Sequence, residues 1–293
     1  MSSPAPVSAP IAVTGASGRI GGRVARLLAA GGVPLRLLGR DPARLPDLPG
    51  ARKAPPAPYG DAGAMRRALD GAGTLFLISA HESPDRIQEH RTAVDAAVAV
   101  GVGRIVYVSF LGAAPQATFT FARDHWHTER YIEASGAAHT FLRNSWYLAG
   151  FPAMTGEDGV IRGPAGEGRV AAVAHEDIAD VAAAVLTGDG HDGAVYDVTG
   201  EEALTLAEVA EELSRVTGRT IRYVPQTRDE AYASRAGYGA DHWEVTGWVT
   251  SYEAMARGEM STVADTVRRL TGHAPMTLRA WLDAHPRAYA HLI

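Results

Sequence analysis

The chain has 293 residues, a formal net charge of -5 and no cysteine. That length can bury a substantial core, the missing cysteines exclude disulfides, thiolate metal sites and cysteine nucleophiles, and the acidic balance with dispersed arginines argues against a nucleic-acid partner. Lys53 is the one lysine in the sequence, so lysine chemistry at any other position is excluded.

Residues 1–10 have neither a basic nor an apolar leader segment and read as a flexible tail. No stretch approaches the roughly 20 apolar residues that span a bilayer, so a cytoplasmic protein without a membrane partner is expected. Ile11-Ala12-Val13-Thr14 is a short apolar run ending in glycine, and Ile20, Val24, Leu27 and Leu28 then recur at helical spacing. Gly31-Gly32 closes that helix and residues 34–38 form a second strand. The alternation continues with a helix over 62–69, a strand over 74–78, a helix carrying Ile87, Val94 and Val98, a strand over 104–108, a helix over 121–135 and a further strand over 139–142. Such alternation predicts an α/β fold, a Rossmann-type doubly wound parallel sheet.

From Phe151 to Gly168 the chain is richer in Gly and Pro, which places a boundary there. The expected organisation is a nucleotide-binding domain over 11–155 and a smaller, mostly helical substrate lobe over 156–293, with 170–198 returning to the sheet. Thr205-Leu206-Ala207-Glu208 has the side chains of a capping box, and Gly218 ends the helix it opens.

Between first strand and first helix lies Gly15-Ala16-Ser17-Gly18-Arg19-Ile20-Gly21. A turn that binds pyrophosphate needs glycine where the chain bends, where backbone meets phosphate, and where helix packs on strand. Gly15, Gly18 and Gly21 suit these roles, in the strand–loop–helix–strand context the motif requires. The second strand ends in Gly39-Arg40-Asp41. Arginine there pairs with the 2′-phosphate of NADP, whereas the aspartate would grip the ribose of NAD; Arg40, with Arg19 as a second charge, favours NADP(H), and Asp41 keeps NAD(H) open.

The glycine loop, Gly60-Asp61, the run His125-Trp126-His127-Thr128-Glu129-Arg130, and Leu142-Arg143-Asn144-Ser145-Trp146-Tyr147 together resemble the NmrA-like atypical short-chain dehydrogenases, in particular the NADPH quinone oxidoreductase-like members. The resemblance covers essentially the whole chain. It implies that Ser17 and Ile20 join the loop glycines at the cofactor, that Asp61 lies near adenine, that Ser79, Ala80 and Ser109 line the cofactor, and that Asn144 and Trp146 approach the nicotinamide. Ordinary members of the wider family use a Tyr-x-x-x-Lys pair to protonate an alkoxide. No such pair occurs here, and the aligned positions hold Phe121 and His125. His125 and His127 are two residues apart on a helix and point away from each other, so they cannot share a metal; His125 is instead a candidate cofactor or proton-relay residue.

Tyr232, Tyr238, Trp243, Trp248 and Tyr252 concentrate aromatic surface in the second half. Flat rings make suitable walls for an aromatic substrate, and Trp146 and Tyr147 join them as candidates. His175-Glu176-Asp177 lacks zincin spacing and there is no Gly-x-Ser-x-Gly elbow, so hydrolase and metal readings have no positive support. The resulting expectation is an NADPH-dependent oxidoreductase of quinones or related electron-poor aromatic or polycyclic carbonyl compounds. The alternatives are a non-catalytic NADP-binding redox sensor and a biosynthetic tailoring ketoreductase or isomerase. A homodimer is left open.

Overall fold

The computed structural model describes residues 9–293; the remainder of the expected tail lies outside the described residues. The chain forms β1 (Ile11–Val13), α1 (Arg19–Ala30), β2 (Leu35–Leu37), β3 (Ala51–Lys53), α2 (Ala62–Leu69), β4 (Thr74–Leu77), α3 (Arg86–Ala99), β5 (Arg104–Phe110), α4 (Thr120–Ala134) and β6 (Ala138–Asn144). There follow α5 (Gly150–Met154), β7 (Val160–Gly163), β8 (Arg169–Val170), α6 (His175–Thr187), β9 (Val195–Val198), β10 (Leu204–Thr205), α7 (Leu206–Thr217), β11 (Arg222–Pro225), α8 (Arg228–Arg235), α9 (His242–Ala256), α10 (Thr266–Thr271) and α11 (Leu278–Ala284).

Seven strands form the main sheet in the order β3-β2-β1-β4-β5-β6-β9, and β1 pairs in parallel with both β2 and β4. The strand order reverses between β1 and β4, so the loops after these two strands open a crevice at the carboxyl edge of the sheet, where doubly wound folds bind their ligands. Apolar strands bury both faces, as parallel sheets require: Leu75, Leu77, Ile105, Tyr107 and Phe141 share one core with Val94.

Spatial contacts divide the chain into two compact units that interleave in sequence. One comprises the described residues up to Ser109 together with His127–Leu142 and Ala182–Tyr196; the other comprises Phe110–Trp126, Arg143–Val181 and Asp197–Ile293. These units do not follow a linear division at residue 155, since Phe110–Trp126 falls in the second and Ala182–Tyr196 in the first. Within the second unit β7 pairs in parallel with β11, and β8 antiparallel with β10, around a core that includes Phe151, Ile161, Leu213 and Trp281.

Two expectations are corrected. Of the segment 170–198, β9 alone enters the main sheet: Val170 belongs to the small β8–β10 pair, and Val173 makes one isolated bridge to Tyr147. Leu27 and Val98, read as core positions, are each 41% exposed. On α3 the inward face is instead completed by Arg86 and His90, both buried. Among the described residues, no helix is long and apolar enough to cross a membrane.

Candidate nucleotide site and acceptor cavity

The glycine loop begins where β1 stops. Thr14 Oγ1 donates to the Phe76 carbonyl at 3.1 Å and accepts from Ile78 N at 2.8 Å, tying the ends of β1 and β4 together. Gly15 has φ +57, a conformation that side chains disfavour, and Gly18 N donates to Gly15 O at 2.8 Å. A Cβ on Gly21 would lie 2.8 Å from the Thr14 carbonyl oxygen and also overlap the Gly15 backbone; only glycine lets α1 approach this closely. Gly18 caps α1 without a side-chain hydrogen bond, and no acid stands in the first turn. The helix therefore presents its first N–H groups and its positive dipole end to an anion, which fits a dinucleotide pyrophosphate. Ser17, Gly18 and Arg19 are exposed at this turn, while Ile20 is buried beneath it.

Leu38 N donates to Val13 O at 2.9 Å and Ala16 N to Leu38 O at 3.3 Å, which brings the end of β2 beside the loop. Here the two candidates for the 2′ position separate. Asp41 accepts from Ala43 N at 3.0 Å and caps the short turn Pro42–Arg44. Arg40 is exposed and makes no ion pair with any described residue. Asp61 likewise serves as a cap, accepting from Ala64 N at 2.9 Å at the start of α2.

Ser79 and Ala80 follow β4 and are half-buried. Their loop is held by groups that sequence reasoning missed. Tyr59 donates its phenol to Ile78 O at 2.7 Å, Arg86 Nε donates to Ala80 O at 3.0 Å, and Ala80 N donates to His90 Nε2 at 2.8 Å. Because Nε2 accepts, the ring proton sits on Nδ1 and is given to Thr128 Oγ1 at 2.8 Å. Burial, and secondarily the Arg86 charge, lower the His90 pKa to about 3, so this imidazole is neutral. The signal was available in the i, i+4, i+8 spacing of Arg86, His90 and Val94, but two of the three are polar. Ser109, at the end of β5, donates to the buried Glu129 carboxylate at 2.6 Å.

In the second unit the end of β6 carries three consecutive residues with unmet polar atoms. Both amide atoms of Asn144, the Ser145 hydroxyl and Trp146 Nε1 are buried without a hydrogen-bond partner among the described residues. The backbone there is engaged: Asn144 O accepts from Leu111 N at 2.9 Å and Trp146 O from Val173 N at 2.7 Å. Orphaned buried polar groups are destabilising, and their concentration on one segment makes it a candidate place for a ligand or ordered water to meet them. His125 is buried on α4 with its ring 6.1 Å from that of Phe110. Phe121 packs against Phe119 and Trp243 over the bare Cα of Gly247.

A cavity of about 650 Å³ opens in this unit, walled by Trp146, Met154, Tyr238, Trp248 and Tyr252, with Arg162 and Arg235 among its lining residues. Gly150 admits the Trp146 indole, since a Cβ there would lie 2.7 Å from Nε1. The Tyr238 ring meets Trp248 edge-on at 6.1 Å, and the Arg235 guanidinium lies 5.3 Å from the Tyr252 ring centre. Burial raises the Tyr252 phenol pKa, with Arg235 opposing the shift. Trp146, Tyr238, Trp248 and Tyr252 are thus brought together from the sequence candidates. Tyr147, Tyr232 and Trp243 do not line this cavity: Tyr147 packs on His175 at 4.6 Å, Tyr232 stacks on His242 at 5.6 Å, and Trp243 faces Phe121. Lys53 on β3 is paired with Asp47 at 2.7 Å.

The family model for NAD(P)H-binding proteins matches residues 15–189. The chain is 34% identical to quinone oxidoreductase 2 of Escherichia coli, covering 92% of this chain and 96% of that protein. It is 35% identical to the (4-alkanoyl-5-oxo-2,5-dihydrofuran-3-yl)methyl phosphate reductase of Streptomyces griseus, covering 96% of this chain and 99% of that one. The crystal structure of the NADPH-dependent quinone oxidoreductase of Escherichia coli with NADPH superposes with a TM-score of 0.82 at 32% identity, over 94% of this chain and 99% of the other. Glycine loop, strand order and these similarities agree, and the chain belongs to the NAD(P)H-binding family of oxidoreductases.

Proposed function

We propose that this protein is an NADPH-dependent reductase of quinones and related electron-poor aromatic or polycyclic carbonyl compounds, acting in the cytoplasm. The observation that carries the reading is a dinucleotide-type glycine loop in a chain whose second unit holds an aromatic-walled cavity and whose sequence lacks a Tyr-x-x-x-Lys acid. A quinone oxidoreductase and a reductase of a dihydrofuran phosphate among the relatives support the class.

When bound, NADPH supplies the hydride. The Gly15–Gly18–Gly21 backbone would receive the pyrophosphate, Arg40 and Arg19 would pair with the 2′-phosphate, and Ser79 and Ala80, on the loop that His90 and Arg86 hold, would line the cofactor. Asn144 and Trp146 would offer their unmet polar atoms at the reacting end, and His125 on α4 is the candidate proton-relay residue. Trp146, Tyr238, Trp248 and Tyr252 face the flat acceptor. The chain needs no strong acid for this chemistry. Hydride addition to a quinone leaves a phenolate whose conjugate acid has a pKa near ~10, and solvent protonates it; an alkoxide would demand a positioned donor.

The test is NADPH consumption with a panel of benzoquinones and naphthoquinones. Turnover of several is expected. Tight NADPH binding with no consumption across the panel would reject the reductase reading in favour of a cofactor sensor.

A further inference from the structure

The acceptor cavity carries charge of one sign. Its charged lining residues are Arg162 and Arg235, and no Asp or Glu lines it. The two cations differ in how they are held. Arg162 is half exposed and paired with Asp158, Nη2 to Oδ2 at 2.5 Å and Nη1 to Oδ1 at 3.2 Å. Arg235, the last residue of α8, is 8% exposed. Its Nη1 donates to Ala231 O at 2.9 Å, Ser234 Oγ at 3.2 Å and Gln226 Oε1 at 3.4 Å, and its Nη2 to Arg162 O at 3.1 Å. Every one of these acceptors is neutral, and Arg235 has no carboxylate partner among the described residues. Carbonyls solvate a guanidinium without neutralising it, and a buried ion lacking a counter-charge is costly unless something supplies one. An unpartnered donor, Trp146 Nε1, is buried at the same cavity. The lining therefore combines flat rings, one unmet N–H donor and an uncompensated positive charge.

We propose that this cavity selects acceptors carrying an anionic substituent on the flat ring system, a carboxylate, sulfonate or phosphate that Arg235 meets while Trp146, Trp248 and Tyr252 hold the ring. The proposal rests on the reductase reading and names its substrate class. Discrimination follows from the cation itself: an anionic acceptor gains a charge-assisted hydrogen bond, whereas a neutral analogue leaves Arg235 uncompensated.

The experiment compares a naphthoquinone bearing a propanoate side chain with its methyl ester. The alkyl spacer insulates the ring, so the two have matched reduction potentials. Dissociation constants are read by tryptophan quenching of the full chain saturated with NADP+, and kcat/KM is measured with NADPH. The acid should bind roughly tenfold or more tightly than the ester, the scale of one charge-assisted hydrogen bond. Arg235→Gln should bring the acid-to-ester ratio towards one, and Arg235→Lys should retain part of the preference, because the charge survives while the planar fork is lost. Equal dissociation constants for acid and ester in the unsubstituted protein overturn the proposal even if no variant folds. A wild-type ratio persisting in a folded Arg235→Gln protein overturns it as well. Failure of the reductase reading looks different, since neither compound would then consume NADPH, whatever its affinity.

Discussion

His90 shows how one buried side chain couples the loop after β4 to pH. Its native pKa of about 3 lies below the ordinary value of 6.5, so the unfolded chain binds a proton in that window and the native chain does not. The sign follows: this site costs nothing above pH 6.5, and stability falls as pH drops from there towards about 3, by up to about 1.4 kcal/mol per pH unit. His90→Gln retains polar atoms for Ala80 N and Thr128 without the titration. Its urea midpoints, followed from neutral pH downwards, should fall more shallowly on the acid side than those of the unsubstituted protein. Identical slopes would show that His90 is not the group responsible. Arg40 and Asp41 make the complementary point about legibility. Their neighbouring positions are visible in the sequence, but that Asp41 is engaged as a cap while Arg40 stays exposed is a matter of backbone geometry.

Helix α7 was readable end to end because its determinants are local. Thr205 accepts from Glu208 N at 3.2 Å, the Glu208 carboxylate accepts from Thr205 N at 2.8 Å, and Gly218 closes the helix with φ +69. The buried stripe of Leu206, Val209, Ala210 and Leu213 has the expected spacing. Thr205→Ala should lower stability by about 1 kcal/mol, with Thr205→Ser recovering most of it in chemical denaturation; no change would mean that the Glu208–Arg169 ion pair, at 3.0 Å, fixes the helix start unaided. Helix α3 was less readable. Apolar periodicity pointed to Val98, yet the buried face includes Arg86 and His90, whose Nε and Nε2 atoms bond to Ala80 on the loop above them. A pattern of apolar residues cannot register a core position filled by a satisfied polar one. Strand β8 failed for another reason: its residues favour a strand, but the choice of β10 as partner is made in three dimensions.

At the scale of the molecule, the α/β alternation behind the parallel sheet and the glycine loop were legible because contiguous residues encode them. The cavity was only partly so. Its two arginines, Arg162 and Arg235, are 73 residues apart in sequence and joined by a backbone hydrogen bond that no local motif announces. Cofactor binding should register as global stability: NADPH at about a hundredfold its Kd adds about 2.7 kcal/mol to the native state. If Arg40 reads the 2′-phosphate, Arg40→Asp should remove the excess of the NADPH-induced Tm shift over that given by NADH. An unaltered excess would assign the preference elsewhere. The interleaving of the two units also has a bearing on synthesis. Strand β9 sits beside β6 in the sheet, yet Ala194, which accepts from Phe141 N at 3.0 Å, follows it only after the whole of β7, β8 and α6. A nascent chain emerging from the ribosome must therefore keep the β6 edge unpaired while it makes part of the other unit, an interval in which that edge is open to mispairing and to chaperones.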